Sequence, residues 1–207
     1  MSGDAIGRRS VLGLAGLLAV PEAALSDRAW AEADKPKVVI KTNHGTIVVE
    51  LEAKRAPLTS ANFLRYVDAQ AYDGGDFYRA ARTPGAPQDG QIVGQPNPKS
   101  HPFPPIKHES TTMTGLRHTT GTLSLGRFAP GTATSTFFIC TSPQPYLDAH
   151  PGEKGDNLGY AAFGHVVEGM DVARTILAAP TGGDAQNPQM QGEILNPPVV
   201  IVTARRA

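Results

Sequence analysis

Tyr160-Ala161-Ala162-Phe163-Gly164-His165-Val166-Val167-Glu168-Gly169-Met170-Asp171-Val172-Ala173-Arg174-Thr175-Ile176-Leu177 joins two kinds of periodicity in one run. Residues 160–167 form an apolar, strand-like run. At Gly169 the period changes: Val172, Ala173, Ile176 and Leu177 recur at helical spacing, so a helix over 169–177 follows the strand. One other segment carries that spacing, Phe63, Leu64, Val67 and Ala71, in a helix that Thr59 or Ser60 would cap and that runs to about Gln70. Around these two helices the signals are those of short strands. Residues 37–42 and 46–51 are β-branched runs, and the Asn43-His44-Gly45 between them reads as a tight hairpin turn. Asp76-Phe77-Tyr78-Arg79, 121–125, 136–141 and 199–203 are further strands. Residues 83–105, rich in Pro, Gly, Asn and Gln, read as a long surface loop broken by the apolar patch Gln91-Ile92-Val93; a loop that long is often a binding surface. Residues 127–135, 143–157 and 180–197 read as loops as well. Many short strands with two well-separated helices argue for an antiparallel barrel rather than βαβ units.

Composition narrows the function classes. Twenty-two Gly and 18 Pro in 207 residues suit a loop-rich β protein of one domain. Basic and acidic residues balance at 19 each, so nothing argues for a nucleic-acid partner. The single cysteine, Cys140, lies in the apolar run Phe137-Phe138-Ile139-Cys140 and reads as a buried, inert thiol. The histidines show no ligand spacing, so no metal and no cofactor is expected. No Gly-x-Ser-x-Gly elbow supports a hydrolase, and no Gly-rich phosphate cradle opens a helix.

Residues 1–31 read as a leader. Arg8-Arg9 precede a short apolar run that ends near Val20, and Ala29-Trp30-Ala31 supplies a small-x-small cut site. The arginine pair and the Gly-rich, moderately apolar run favour the twin-arginine route. The run is too short to span a bilayer as a helix, so no stable membrane insertion is expected. Cleavage after Ala31 would leave residues 32–207 as the mature domain, exported to the periplasm or another extracytoplasmic space.

Several segments, in one shared order over about 38–204, resemble cyclophilins. Ile47-Val48-Val49-Glu50-Leu51, Ala56-Pro57 and Asn62-Phe63 open the series; Phe77-Tyr78-Arg79 resembles the family's Phe-His-Arg. Gly121-Thr122-Leu123-Ser124-Leu125 is similar to its Gly-Thr-x-x-Met strand, and Thr134-Ser135-Thr136-Phe137-Phe138-Ile139 to its Ser-Gln-Phe-Phe-Ile strand. Tyr146-Leu147-Asp148 resembles the Trp/Phe-Leu-Asp turn, and Phe163 to Val172 the Phe-Gly-x-Val-x-x-Gly-Met-Asp-Val signature.

The resemblance implies a mainly β protein, an eight-stranded antiparallel barrel capped by two α-helices with a proline pocket on its outer face. It implies a peptidyl-prolyl cis-trans isomerase acting, as a monomer, on proline-containing peptides and unfolded proteins, and aiding the folding of exported ones. Arg79 matches the catalytic arginine, Phe138 the pocket floor, Leu147 a wall and Tyr146 the aromatic rim. Tyr160 falls where relatives carry histidine or tyrosine, and Tyr78 replaces the histidine before the arginine. Gly126-Arg127 stands where Ala-Asn is common, and Thr136 where glutamine is. The Phe-Met-x-Gln-Gly-Gly segment becomes Gly90-Gln91-Ile92-Val93-Gly94-Gln95, so Gln91 or Gln95, with Val93, would take over that part of the site. A catalytically weakened chaperone of cyclophilin fold, or a proline-peptide binding module, is the alternative, and a structural envelope protein a third class.

Overall fold

The computed structural model describes residues 35–207, so the leader and its cleavage site lie outside the described residues. The elements are β1 (Lys37–Thr42), β2 (Gly45–Leu51), α1 (Pro57–Asp68), β3 (Gly75–Thr83), β4 (Ala86–Gln95), α2 (Thr111–Thr114), β5 (Thr122–Leu125), β6 (Phe137–Cys140), β7 (Ala161–Glu168), α3 (Met170–Ala178) and β8 (Ile194–Arg206). The eight strands close in the order β1-β2-β7-β5-β6-β4-β3-β8, every neighbouring pair antiparallel. This is the expected barrel.

Alternation along the strands sorts the side chains. Val38, Ile40, Ile47, Val49, Leu51, Ile92, Leu123, Leu125, Phe137 and Ile139 turn inward and share one core with Phe63, Tyr66 and Val67 of α1 and Ala173, Ile176 and Leu177 of α3. Phe137 is its hub, meeting Phe63, Tyr72 and Phe77 edge-on at centroid distances of 5.4, 5.3 and 5.6 Å. Gly94 makes room for it: a Cβ there would sit 2.6 Å from the Phe137 ring. A small eight-stranded barrel filled in this way has no room for a ligand inside, so any site belongs on the outer surface.

Four expectations are corrected. Residues 83–105 are not one long loop, because β4 runs through them and pairs with both β3 and β6. Its strand character is hidden by Pro87 and Gln88, which are exposed near the hairpin tip. The last strand begins at Ile194, not near 199: Phe77 pairs with Val199 and Arg79 with Ile194, so the residues between, including Pro197 and Pro198, bulge out of the ladder where a missing N–H costs nothing. A third, one-turn helix, α2, interrupts the connection between β4 and β5. Finally, α1 starts at Pro57 with Ala56 as its N-cap residue, and neither Thr59 nor Ser60 caps it. The buried carboxylate of Glu109 does so from the far side of the chain, accepting from the Thr59 backbone N–H and hydroxyl at 2.7 Å each and from the Leu58 N–H at 3.1 Å.

Candidate active site

The site begins with a defect in β3. The ladder register shifts between Phe77 and Arg79, leaving Tyr78 as an extra residue. Phe77 is fully buried in the core and Ala80 again turns inward, so the bulge sends both Tyr78 and Arg79 to the outer face. From Arg79 a cross-strand row runs around the barrel: Arg79 pairs with Val93 on β4, Val93 with Phe138 on β6, and Phe138 with Ser124 on β5. The residues that face outward here are also covered. Val93, Phe138, Cys140 and Leu147 form a second buried cluster, with Tyr78 and Tyr160 packed against it.

Above this cluster lies a depression of about 180 Å³ lined by Tyr78, Arg79, Gln91, Val93, Gly126, Arg127, Thr136, Phe138 and Tyr160, all of them expected site residues. The other two, Tyr146 and Leu147, border an adjoining groove with Arg79, Gln91 and Tyr160. Leu147 belongs to the buried cluster, whereas Tyr146 stands two-thirds exposed at the rim. Tyr160 meets Phe138 edge-on at 5.4 Å and 87°, and its N–H donates to the Leu147 carbonyl at 2.9 Å. These contacts join the floor to the wall.

The two candidate glutamines separate. Gln91 lines the depression, and its Oε1 is buried with no hydrogen-bond partner among the described residues. Gln95 turns away and donates to Asp76 Oδ1 at 3.1 Å. Arg127 borders the pocket, but its guanidinium is already bound. Nε donates to the Gly159 carbonyl and Nη2 to Asp156 Oδ1, each at 2.9 Å, and the side chain is 4% exposed. Its role is to hold the 156–159 loop beside Tyr160, over whose ring its charge lies at 5.2 Å.

Burial pushes the phenols of Tyr78 and Tyr146 above the ordinary tyrosine value, so both stay protonated and able to donate near neutral pH. Burial likewise pushes the Cys140 thiol up to about 12, consistent with an inert core cysteine.

Beneath the floor lies an arrangement the sequence reading did not anticipate. His118 Nδ1 bonds Asp148 Oδ1 at 2.7 Å, its Nε2 bonds the Ser124 hydroxyl at 2.9 Å, and its ring stacks on Phe138 at 5.9 Å and 16°. The carboxylate only accepts, so Nδ1 carries the proton and Ser124 donates to Nε2. The connectivity is that of a hydrolytic triad, but Ser124 is fully buried and nothing can reach it. The network instead ties the Tyr146–Asp148 wall to the floor.

Burial depresses His118 below the usual 6.5, and the hydrogen bond to Asp148 opposes this only in part. The unfolded chain therefore binds a proton more readily than the fold does as pH falls below 6.5. Stability is expected to be full above that value and to decline below it, until the fold itself protonates His118. Urea midpoints at pH 7.5 and 5.5 check this. The drop should shrink in His118→Asn, and an equal drop in that variant would refute it.

Of the residues the sequence reading missed, Phe128, Thr132 and Thr134 lie in the loop before β6, already marked by its composition. Met190 and Glu193, from the segment before β8, carry no local signal at all. One cluster was also missed: Glu50 of β2, Glu52 just beyond it and His165 of β7 converge. The Lys35 ammonium bridges both carboxylates at 3.1 Å, supplying the positive charge there.

An apolar floor, an aromatic wall and a guanidinium at one edge lie together on the outside of a filled barrel, a surface whose chemistry suits a small apolar ring next to a carbonyl. Comparison with known proteins identifies the class. The model of the family described as "Cyclophilin type peptidyl-prolyl cis-trans isomerase/CLD" matches residues 37–204. The chain is 33% identical over 178 residues to peptidyl-prolyl cis-trans isomerase A of Dickeya dadantii, covering 86% of this chain and 87% of that one. It is 37% identical over 145 residues to a peptidyl-prolyl cis-trans isomerase of Acinetobacter baylyi, covering 70% and 73%. A crystal structure of a cyclophilin-type isomerase from Cryptosporidium parvum superposes with a TM-score of 0.65 at 20% identity, over 84% of this chain and 98% of that one. The same protein has been crystallised in the presence of the dipeptide Ala-Pro. The chain belongs to the cyclophilin-type peptidyl-prolyl cis-trans isomerase family.

Proposed function

We propose that the chain rotates X-Pro peptide bonds, with Arg79 as the catalytic group, and that it does so on exported proteins outside the cytoplasm. The observation that carries this reading is the row Arg79–Val93–Phe138, which sets a fixed cation beside an apolar floor. The barrier to be lowered is the amide resonance of roughly 18–20 kcal/mol, and no covalent step is needed. A proline ring seated on Phe138 and Val93, between Tyr160 and Leu147, is held while the acyl side turns. As the amide twists, its nitrogen gains a lone pair. The free N–H donors of Arg79 stabilise that lone pair better than the planar ground state, which is the differential binding that accelerates the reaction. Tyr78 and the Gln91 amide offer further hydrogen bonds to the peptide backbone on either side. The substrates are proline-containing peptides and unfolded chains.

The test is proline-limited refolding and peptide isomerisation by the mature protein. Acceleration of both supports the reading. Binding of proline peptides without acceleration would make the pocket a recognition module instead. Export has its own test: Arg8→Lys combined with Arg9→Lys should hold the protein in the cytoplasm as the full-length chain, while the unchanged leader yields a product starting at Glu32. Equal export of both forms would overturn the twin-arginine route.

A further inference from the structure

Resting on the isomerase reading, we propose that Glu193 is the positioning residue of Arg79, doing from the far end of the chain what no side chain of β4 does. An arginine on the outside of a barrel is long and flexible, and holding it in one geometry costs rotamer entropy. Here Arg79 Nε donates to Glu193 Oε2 at 2.7 Å, and Nη2 lies 2.7 Å from the same oxygen. The two side chains are only 20% and 27% exposed, which makes this pair stronger than an open surface ion pair.

The backbone sets the pair up. Arg79 stands opposite Ile194 in the β3–β8 register, and the N–H of Ala80 donates to the Glu193 carbonyl at 2.8 Å. Both partners are thus fixed at adjacent points of one ladder. The carboxylate grips the Nε/Nη2 edge and leaves the Nη1 edge free for the substrate. Gln95 is committed to Asp76, and Gln91 Oε1 is unpartnered, so neither glutamine orients the guanidinium. The same segment also shapes the pocket: Glu193 N–H donates to the Met190 carbonyl at 3.0 Å, and Met190 lines the depression.

A carboxylate beside the guanidinium withdraws some of its positive field from the amide nitrogen, but it fixes the donor edge in advance, and orientation dominates when a group is misplaced by an ångström. Glu193→Ala is therefore expected to lower kcat on a proline peptide about tenfold with KM little changed. Glu193→Asp, which keeps the charge but loses reach, should resemble it. Glu193→Gln, whose amide oxygen still accepts from Nε, should recover activity to within about threefold of the parent. On an Arg79→Ala background, Glu193→Ala should cost nothing further. The proposal is overturned by an active parent whose Glu193→Ala and Glu193→Asp variants keep full kcat, or by a Glu193→Ala loss that persists in the Arg79→Ala background. An inactive parent protein would instead sink the isomerase reading, and the proposal with it.

Discussion

Arg79→Ala is expected to lower kcat/KM for a proline peptide by about 100-fold, close to 2.7 kcal/mol, as for loss of one preorganised transition-state donor. The fold should survive. The Arg79 side chain lies on the outer face, outside the filled core, and its removal leaves the Glu193 carboxylate in a place that water can reach. Circular dichroism and the unfolding midpoint should stay close to the parent values. Arg79→Lys restores the charge but not the planar fork, since one ammonium cannot both pair with Glu193 and point a second rigid edge at the amide, so it should recover little. Parent-level rates in Arg79→Ala would move catalysis elsewhere in the pocket. Tyr78 is the remaining donor on the same bulge, and Tyr78→Phe would be the next variant to assay.

The second large effect is on stability. Glu109→Ala is expected to destabilise the protein by about 3 kcal/mol, because it strips three bonds from the buried start of α1 and leaves the Leu58 and Thr59 donors without an acceptor. For a chain of this size that corresponds to a fall of about 6–12 °C in Tm. Replacing the charge matters as well as the bonds, since a carboxylate at a helix N-terminus also interacts favourably with the helix dipole. Glu109→Gln should accordingly lose less than Glu109→Ala. A melt of Glu109→Ala within 2 °C of the parent would show that the helix start is served by water. The pocket should feel this indirectly, because Asn62 of α1 donates to the Thr134 carbonyl and Tyr72 to that of Ser135, at the base of the loop that lines the site.

Much of the barrel was legible because its signals are local. The change from strand to helical period at Gly169 placed β7 and α3 within a residue or so, and Asn43-His44 did turn between β1 and β2. The pocket residues were legible through motif order: Arg79, Phe138, Leu147 and Tyr160 do converge. β4 was not legible, because its turn-forming composition belongs to an exposed hairpin tip while its buried part is only four residues, Gly90 and Ile92 to Gly94.

Local pattern thus carries the alternation that fills the barrel, the two longer helices of the described residues and most of the groups that line the pocket. How those groups are held depends on contacts made across the closed barrel. The bulge at Tyr78 that turns Arg79 outward depends on pairing with β4 and β8. The carboxylates that start α1 and clamp Arg79 come from 50 and 114 residues away. The histidine stacked on Phe138 reaches Asp148 across 30. Periodicity and turn chemistry record what a residue does with its near neighbours, whereas a hydrogen bond between distant strands leaves no mark in either. Such partners become visible only once closure of the barrel has brought them within 3 Å.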